Sequence, residues 1–250
     1  MERSGLDNEM HLARLVMQGL LPTTPPRLKG LDIATFHEWS REVSGDYYDF
    51  ISLGDDRWGL VIADVVGKGV AAALLVSAIR ASLVSLAGVE LALRAIFRRA
   101  NRFFRDSVGS GGDMKLFYAT IFYAVLDVPS RRLIYVNAGH LPALLVRADG
   151  RVDLLSEGGI PLGLFDDPRY CEGFDRMETG DVLVLFTDGV TDAAGPDGEP
   201  YGLDRLTRIV RDARAYGAAA IRDVVVNDLR AFASDPGSND DETMVIIKAV

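Results

Sequence analysis

The spacing of apolar positions changes along the chain, and the changes mark out its elements. Between residues 7 and 21, Met10, Ala13, Met17 and Leu20 recur at spacings of three and four, and Leu12, Leu15 and Val16 widen that face. This period predicts a packing helix, which Pro22, Pro25 and Pro26 end because proline lacks a backbone donor. From residue 31, short apolar runs predict strands at 31–39, 47–52 and 58–64, the last two joined by the turn Gly54-Asp55-Asp56. Residues 70–86 are small and apolar nearly all round and predict a buried helix; 90–105 predict an amphipathic one. Residues 109–113 read as a glycine-rich loop.

Strands at 117–127 and 132–137 then pair around Pro129-Ser130, and 141–146 pairs with 151–155 around Asp149-Gly150. Further strands are predicted at 170–177, 182–187 and 243–250, with helices at 203–214 and 218–233. Hairpins interrupted by two helix pairs predict an α+β domain layered on antiparallel sheets. The prolines set off residues 1–26 as a linker or regulatory helix from a body at 27–250. That helix either docks on its own domain or connects to a partner chain or an upstream sensor.

Composition narrows the function classes. A chain of 250 residues with 48% hydrophobic content can bury one sizeable core. A net charge of −9 argues against a nucleic-acid binder, which needs a basic face. Arg94, Arg98, Arg99, Arg102 and Arg105 cluster on one predicted helix and read as its solvated face. Cys171 is the single cysteine, which excludes an internal disulfide and fits a reducing cytoplasm. The first residues lack a basic, apolar leader, and the longest apolar run (70–79) ends at Arg80, too short to span a bilayer. The expectation is a cytoplasmic protein with no membrane or nucleic-acid partner.

Familiar nucleophile motifs are absent. The stretch from Cys171 to Arg176 places its arginine one residue too early for a cysteine phosphatase loop, and its acidity would raise the thiol pKa. No G-x-S-x-G elbow, P-loop or Cys/His zinc spacing occurs. What remains is four acidic clusters at the ends of apolar runs: Ser44-Gly45-Asp46-Tyr47-Tyr48-Asp49, Ala63-Asp64-Val65-Val66-Gly67-Lys68-Gly69, Thr187-Asp188-Gly189-Val190-Thr191-Asp192 and Asn239-Asp240-Asp241-Glu242-Thr243. A buried strand holds a terminal carboxylate rigidly, and glycine lets backbone approach an ion. Converging carboxylates repel unless cations neutralise them, and a divalent metal is the simplest neutraliser.

Together with Asn137-Ala138-Gly139-His140-Leu141-Pro142, these clusters occur in an order that closely resembles the metal-dependent PPM (type 2C) serine/threonine phosphatases. The nearest branch is the bacterial stage II sporulation protein E and RsbU type. The resemblance covers about residues 10–250 and includes the leader Met17-Gln18-Gly19-Leu20-Leu21-Pro22, similar to the helix that precedes such domains. It implies an α-β-β-α sandwich of two antiparallel sheets flanked by helices, and two Mn2+ or Mg2+ ions at one edge. Asp64 would bridge both ions, Asp188 and Asp240 would complete one site, and Asp46 would coordinate directly or hold metal waters. The Val65 carbonyl would serve the second ion, while Asp49 and Asp241 would have supporting roles.

The implied reaction is direct attack of an activated water on a phosphoserine or phosphothreonine, without a covalent phosphoenzyme. The implied substrate is a phosphorylated regulatory protein, by analogy an anti-sigma factor antagonist. Val66 stands where eukaryotic relatives carry a histidine that serves the leaving group, so the acid is unassigned. His140 reads first as a hydrogen-bonded turn residue, and Lys68 as either a phosphate-steering or a solvated cation. Two other readings stand beside this one: a catalytically silent partner-binding module of the same fold, and a two-metal phosphodiesterase or nucleotide hydrolase.

Overall fold

Strands that are apolar on both faces place the two sheets inside the protein and the helices outside. In the computed structural model, which describes residues 12–40, 43–67, 69–87, 92–108, 117–233 and 240–250, alternate side chains of each central strand enter different cores. From β3 (Arg57–Val65), Val61, Ala63 and Val65 face one helical layer, and Leu60 and Ile62 face the opposite sheet. From β10 (Val182–Phe186) and β11 (Glu242–Ala249), Val184 and Ile246 face the other helical layer, while Leu185 and Val245 face between the sheets.

One sheet has the order β1 (Leu31–Glu38), β11, β10, β6 (Ala143–Val146), β7 (Val152–Leu155). The other runs β2 (Asp46–Ser52), β3, β4 (Ala119–Asp127), β5 (Arg132–Ala138), β8 (Gly158–Gly159), with β9 (Gly173–Arg176) also on β5. Helices α2 (Val70–Ala87) and α3 (Leu93–Val108) contribute to the core outside the second sheet. Helices α5 (Leu203–Ala213) and α6 (Ala218–Phe232) cover the first. The α-β-β-α sandwich is therefore present. All pairings are antiparallel among the described residues except the two-residue β5–β8 contact, which is parallel. Helix α1 (residues 12–20) docks Met17 into the α2/α3 core while Leu12, Leu15 and Val16 stay exposed.

Three local expectations are corrected. The helix at 70–86 is not buried all round: Leu74 is 66% exposed, and Val70 and Val84 are also open. As an outer layer, α2 has only one face against sheet and α3, and its apolar outer face carries no polar period to show this. It is also the one described helix long and apolar enough by composition to cross a membrane; its Ala72, Val76, Ile79 and Leu83 pack into the core. The strand predicted at 170–177 shrinks to β9, and α3 starts at Leu93. The short α4 (Asp188–Thr191) and β8 are too brief to leave a period in the sequence. The loop expectation at 109–113 and Lys68 lie outside the described residues.

At one end of the sandwich Arg147 ties both sheets together. It donates to Asp153 on β7 (2.6 Å), Asp175 on β9 (2.7 Å) and Asp181 before β10 (3.1 Å). Asp181 also accepts the backbone N–H groups of Ala148 and Glu178, both at 2.9 Å. Removing the guanidinium strands three carboxylates around a side chain only 15% exposed. Arg147→Met is expected to lower unfolding free energy in urea by about 2–4 kcal/mol, the buried-pair cost discounted for the partly exposed Asp153.

Candidate active site

Antiparallel registers bring the acidic clusters to the end opposite Arg147. The start of β2 pairs with the end of β3, setting Asp46 across from Asp64. The end of β10 pairs with the start of β11, Phe186 across from Met244, so Asp188 and Asp240 emerge side by side. Asp64 and Asp188 line one cleft of about 210 Å3, together with Thr120, His140 and Pro142. Asp64 and Asp188 thus line one opening, and each has a second predicted aspartate near it, Asp46 beside Asp64 and Asp240 beside Asp188. Among the described residues, no three ligating side chains form a ready-made metal cluster.

Asp46 is the most confined of them, 3% exposed. Its Oδ2 accepts the Thr187 hydroxyl at 2.7 Å and the Thr243 hydroxyl as well. Its carboxyl pKa lies well above the ordinary value, first because burial penalises the charge and then because Asp64 is close; the two threonine bonds pull the other way. Asp188 opens α4, and its pKa is raised by burial, then by Asp240 and Asp192. In both pairs, charge has been crowded beyond what hydrogen bonds offset.

Two glycines make the crowding sterically feasible. A Cβ on Gly45 would sit 2.7 Å from the Val65 carbonyl, 3.1 Å from the Gly67 carbonyl and 3.6 Å from Asp64 Oδ1. Three oxygens therefore converge on a space that glycine alone leaves open. A Cβ on Gly189 would meet the Asp241 carbonyl at 2.1 Å, so glycine is needed for α4 to approach the start of β11. An all-oxygen set of carboxylates and carbonyls suits hard divalent cations such as Mg2+ or Mn2+. The residues present fit such ions.

The other acidic residues have structural work. Asp241 accepts the backbone N–H groups of Ser40 (2.8 Å) and Gly45 (3.1 Å), fastening the loop before β2. Asp49 accepts Tyr47 Oη (2.8 Å) and Arg80 Nε (3.1 Å), joining β2 to α2. His140 is a turn residue as predicted. Its backbone N–H donates to Asn137 Oδ1 at 2.7 Å, and its ring bridges Thr120 Oγ1 (2.8 Å) and the Phe186 carbonyl (3.0 Å). The carbonyl must receive Nε2–H, so Nδ1 accepts the Thr120 hydroxyl. Burial lowers this histidine to about 4, so it is neutral at pH 7 and holds β4 to the end of β10.

Thr187 and Thr243 stand within the acidic motifs with no task legible from spacing, and no pattern in the sequence marks His37 or Thr120. The hint available was position: Thr187 and Thr243 each flank an acidic cluster at a strand end. The arginines of α3 were read as a solvated face, and Arg94, Arg98, Arg99 and Arg102 are exposed.

The raised Asp46 pKa fixes the sign of a stability effect. The folded state keeps a proton that the unfolded chain releases, so stability falls as pH rises through the folded value. Asp46→Asn removes that penalty. Without metal, it is expected to be more stable than the parent at pH 8 by about 0.5–2 kcal/mol, with the gap closing as pH falls toward the ordinary carboxylate value, and to gain no stability from Mn2+. Thermal unfolding across pH, with and without Mn2+, checks both halves.

Comparison with known proteins places this geometry in a family. The family model for stage II sporulation protein E (SpoIIE) matches residues 54–250. Protein IcfG of Synechocystis sp. is 30% identical over 96% of the chain, which spans 41% of IcfG. The phosphoserine phosphatase RsbU of Bacillus subtilis is 28% identical over 97% of the chain, which spans 70% of RsbU. The solved SiaA-PP2C domain of Pseudomonas aeruginosa superposes with a TM-score of 0.83 at 19% identity, covering 99% of this chain and 98% of that one. PP2C phosphatases are metal-dependent. With the sandwich, the paired aspartates and this match in hand, the chain belongs to the SpoIIE family of PP2C-type phosphatase domains.

Proposed function

We propose that the protein is a metal-dependent phosphatase acting on phosphoserine or phosphothreonine of a regulatory protein. The observation that carries this reading is that Asp64 and Asp188 line one cleft, each with a second aspartate near it (Asp46 and Asp240), while Gly45 leaves an oxygen-lined space beside Val65. Asp46, Asp64, Asp188, Asp240 and the Val65 carbonyl would hold two Mn2+ or Mg2+ ions. When bound, these supply Lewis acidity and a water acidified to titrate near neutrality.

The chain's own residues prepare that chemistry. Thr187 and Thr243 hold Asp46 through Oδ2, leaving Oδ1 outside those bonds. Gly45 leaves open the space beside the Val65 carbonyl and Asp64, and the neutral His140 fixes the strand ends that carry Asp64 and Asp188. His140, with both ring nitrogens engaged and its pKa lowered, is not placed to protonate a leaving group at pH 7. A silent-module reading gains no support, since all four aspartates are retained. The name of RsbU favours phosphoserine, and the motif resemblance to the stage II sporulation protein E and RsbU branch suggests a phosphorylated anti-sigma factor antagonist as substrate.

The test is release of inorganic phosphate from p-nitrophenyl phosphate and a phosphoserine peptide with added Mn2+. Asp188→Asn is expected to lower turnover at least about 100-fold with an unchanged circular dichroism spectrum. No phosphate release from the parent with either metal overturns the reading.

The exposed face of α1 is proposed as the contact for an upstream sensor or a second copy, because Leu12, Leu15 and Val16 lie outward while Met17 anchors the helix. Replacing these three with glutamine is expected to leave Tm within about 4 °C, as surface changes do, and to abolish self-association in sedimentation velocity or capture by the sensor.

A further inference from the structure

The hydroxyl hydrogen of Thr243 has two claimants. Thr243 Oγ1 lies within bonding reach of Asp46 Oδ2 and also 2.8 Å from His37 Nδ1. The tautomer of His37 decides which one receives it. The Trp39 indole meets His37 Nε2, and an indole N–H can only donate. Nε2 is therefore the acceptor, and in a neutral imidazole the proton sits on Nδ1. Burial lowers His37 to about 4, against a smaller opposing pull from Asp241, which keeps the ring neutral at pH 7. Nδ1–H then donates to Thr243 Oγ1, and the threonine's own hydrogen goes to Asp46.

The neighbouring threonine is oriented differently. The Thr243 backbone N–H donates to Thr187 Oγ1 at 3.1 Å, and Thr187 Oγ1 donates to Asp46 at 2.7 Å. One hydroxyl is thus aimed by the backbone and the other by a side chain 206 residues away in sequence. With the opposite tautomer, Thr243 would donate to His37 and turn lone pairs toward a carboxylate already crowded by Asp64.

Resting on the phosphatase reading of this site, we propose that His37 is a positioning residue: held by Trp39, it sets the direction of the Thr243 hydroxyl so that Asp46 is kept as a cation-ready carboxylate. The bonds all run one way, Trp39 to His37 to Thr243 to Asp46. The outer end is half-buried under α1, with the Arg14 guanidinium 5.1 Å from the Trp39 ring centre.

The test is Mn2+ binding to the full chain by calorimetry, with urea unfolding as a fold control. His37→Phe is expected to weaken Mn2+ binding about tenfold, and Thr243→Val about 10- to 100-fold. Because both act through one hydrogen bond, the double variant should bind within about twofold of Thr243→Val alone. His37→Asn, whose amide can donate where Nδ1–H stood, should stay within about threefold of the parent. Trp39→Phe, which frees the tautomer, should bind about threefold more weakly.

Parental affinity in His37→Phe, full additivity in the double variant, or equal losses in His37→Phe and His37→Asn overturns the relay alone. A parent that binds no Mn2+ overturns the phosphatase reading and the relay with it. If His37→Phe does not fold, Trp39→Phe decides: weaker binding supports the relay, and parental binding removes it.

Discussion

Mutual repulsion of aspartates held at one end of a sandwich is the constraint around which this protein is arranged. Isolated at a surface, Asp46 and Asp64 would separate or protonate. Here Asp46 is buried and register-locked opposite Asp64, with its pKa driven up by burial and by that neighbour. Asp188 is crowded in the same way, beside Asp240. Such an arrangement lasts only if the surrounding structure is stiff enough to resist it. Strands buried on both faces supply that stiffness, because neither sheet can shift without disturbing two cores at once.

The two ends of the sandwich handle charge in contrasting ways. At the Arg147 end, three aspartates share a guanidinium, so their counter-ion comes from within the chain. At the other end, the carboxylates are given hydroxyls, backbone donors and open oxygen-lined space. Threonine hydroxyls orient Asp46 without cancelling its charge, which a lysine or arginine in the same place would do. A cation supplied from solution can then complete what the fold leaves unbalanced. The same physical pressure that costs stability in the metal-free protein becomes affinity when the ion arrives.

Much of this was legible in the sequence, and the limits follow from which signals are local. The strands at 58–64 and 182–187 announced themselves because both faces are apolar, and their terminal aspartates stood out against that background. The outward face of α2 was misjudged because alanine, valine and leucine on a solvent-facing stripe carry no contrast in period. The roles of Thr187, Thr243 and His37 depend on contacts between residues 56, 197 and 206 positions apart. No spacing rule reaches that far. What Asp241 supports, the loop before β2, likewise needed the Ser40 and Gly45 amides to be located.

The two neutral histidines flanking the site give its rigidity a common origin. His140 joins β4 to the end of β10, one strand from each sheet, and His37 joins β1 to β11 beside Asp46. His140 is buried and His37 partly so, each has its pKa lowered to about 4 by desolvation, and each works through a threonine hydroxyl. A charged side chain could not serve in either place: a cation would neutralise the carboxylates from within the chain, and an anion would add to their repulsion. A purely apolar one could not serve either, because it would leave the hydroxyl directions undetermined. Neutral imidazole carries one donor and one acceptor, so it fixes the direction of a hydrogen bond while adding no net charge. Direction without charge is what a carboxylate site needs when its counter-ion is to come from outside the chain.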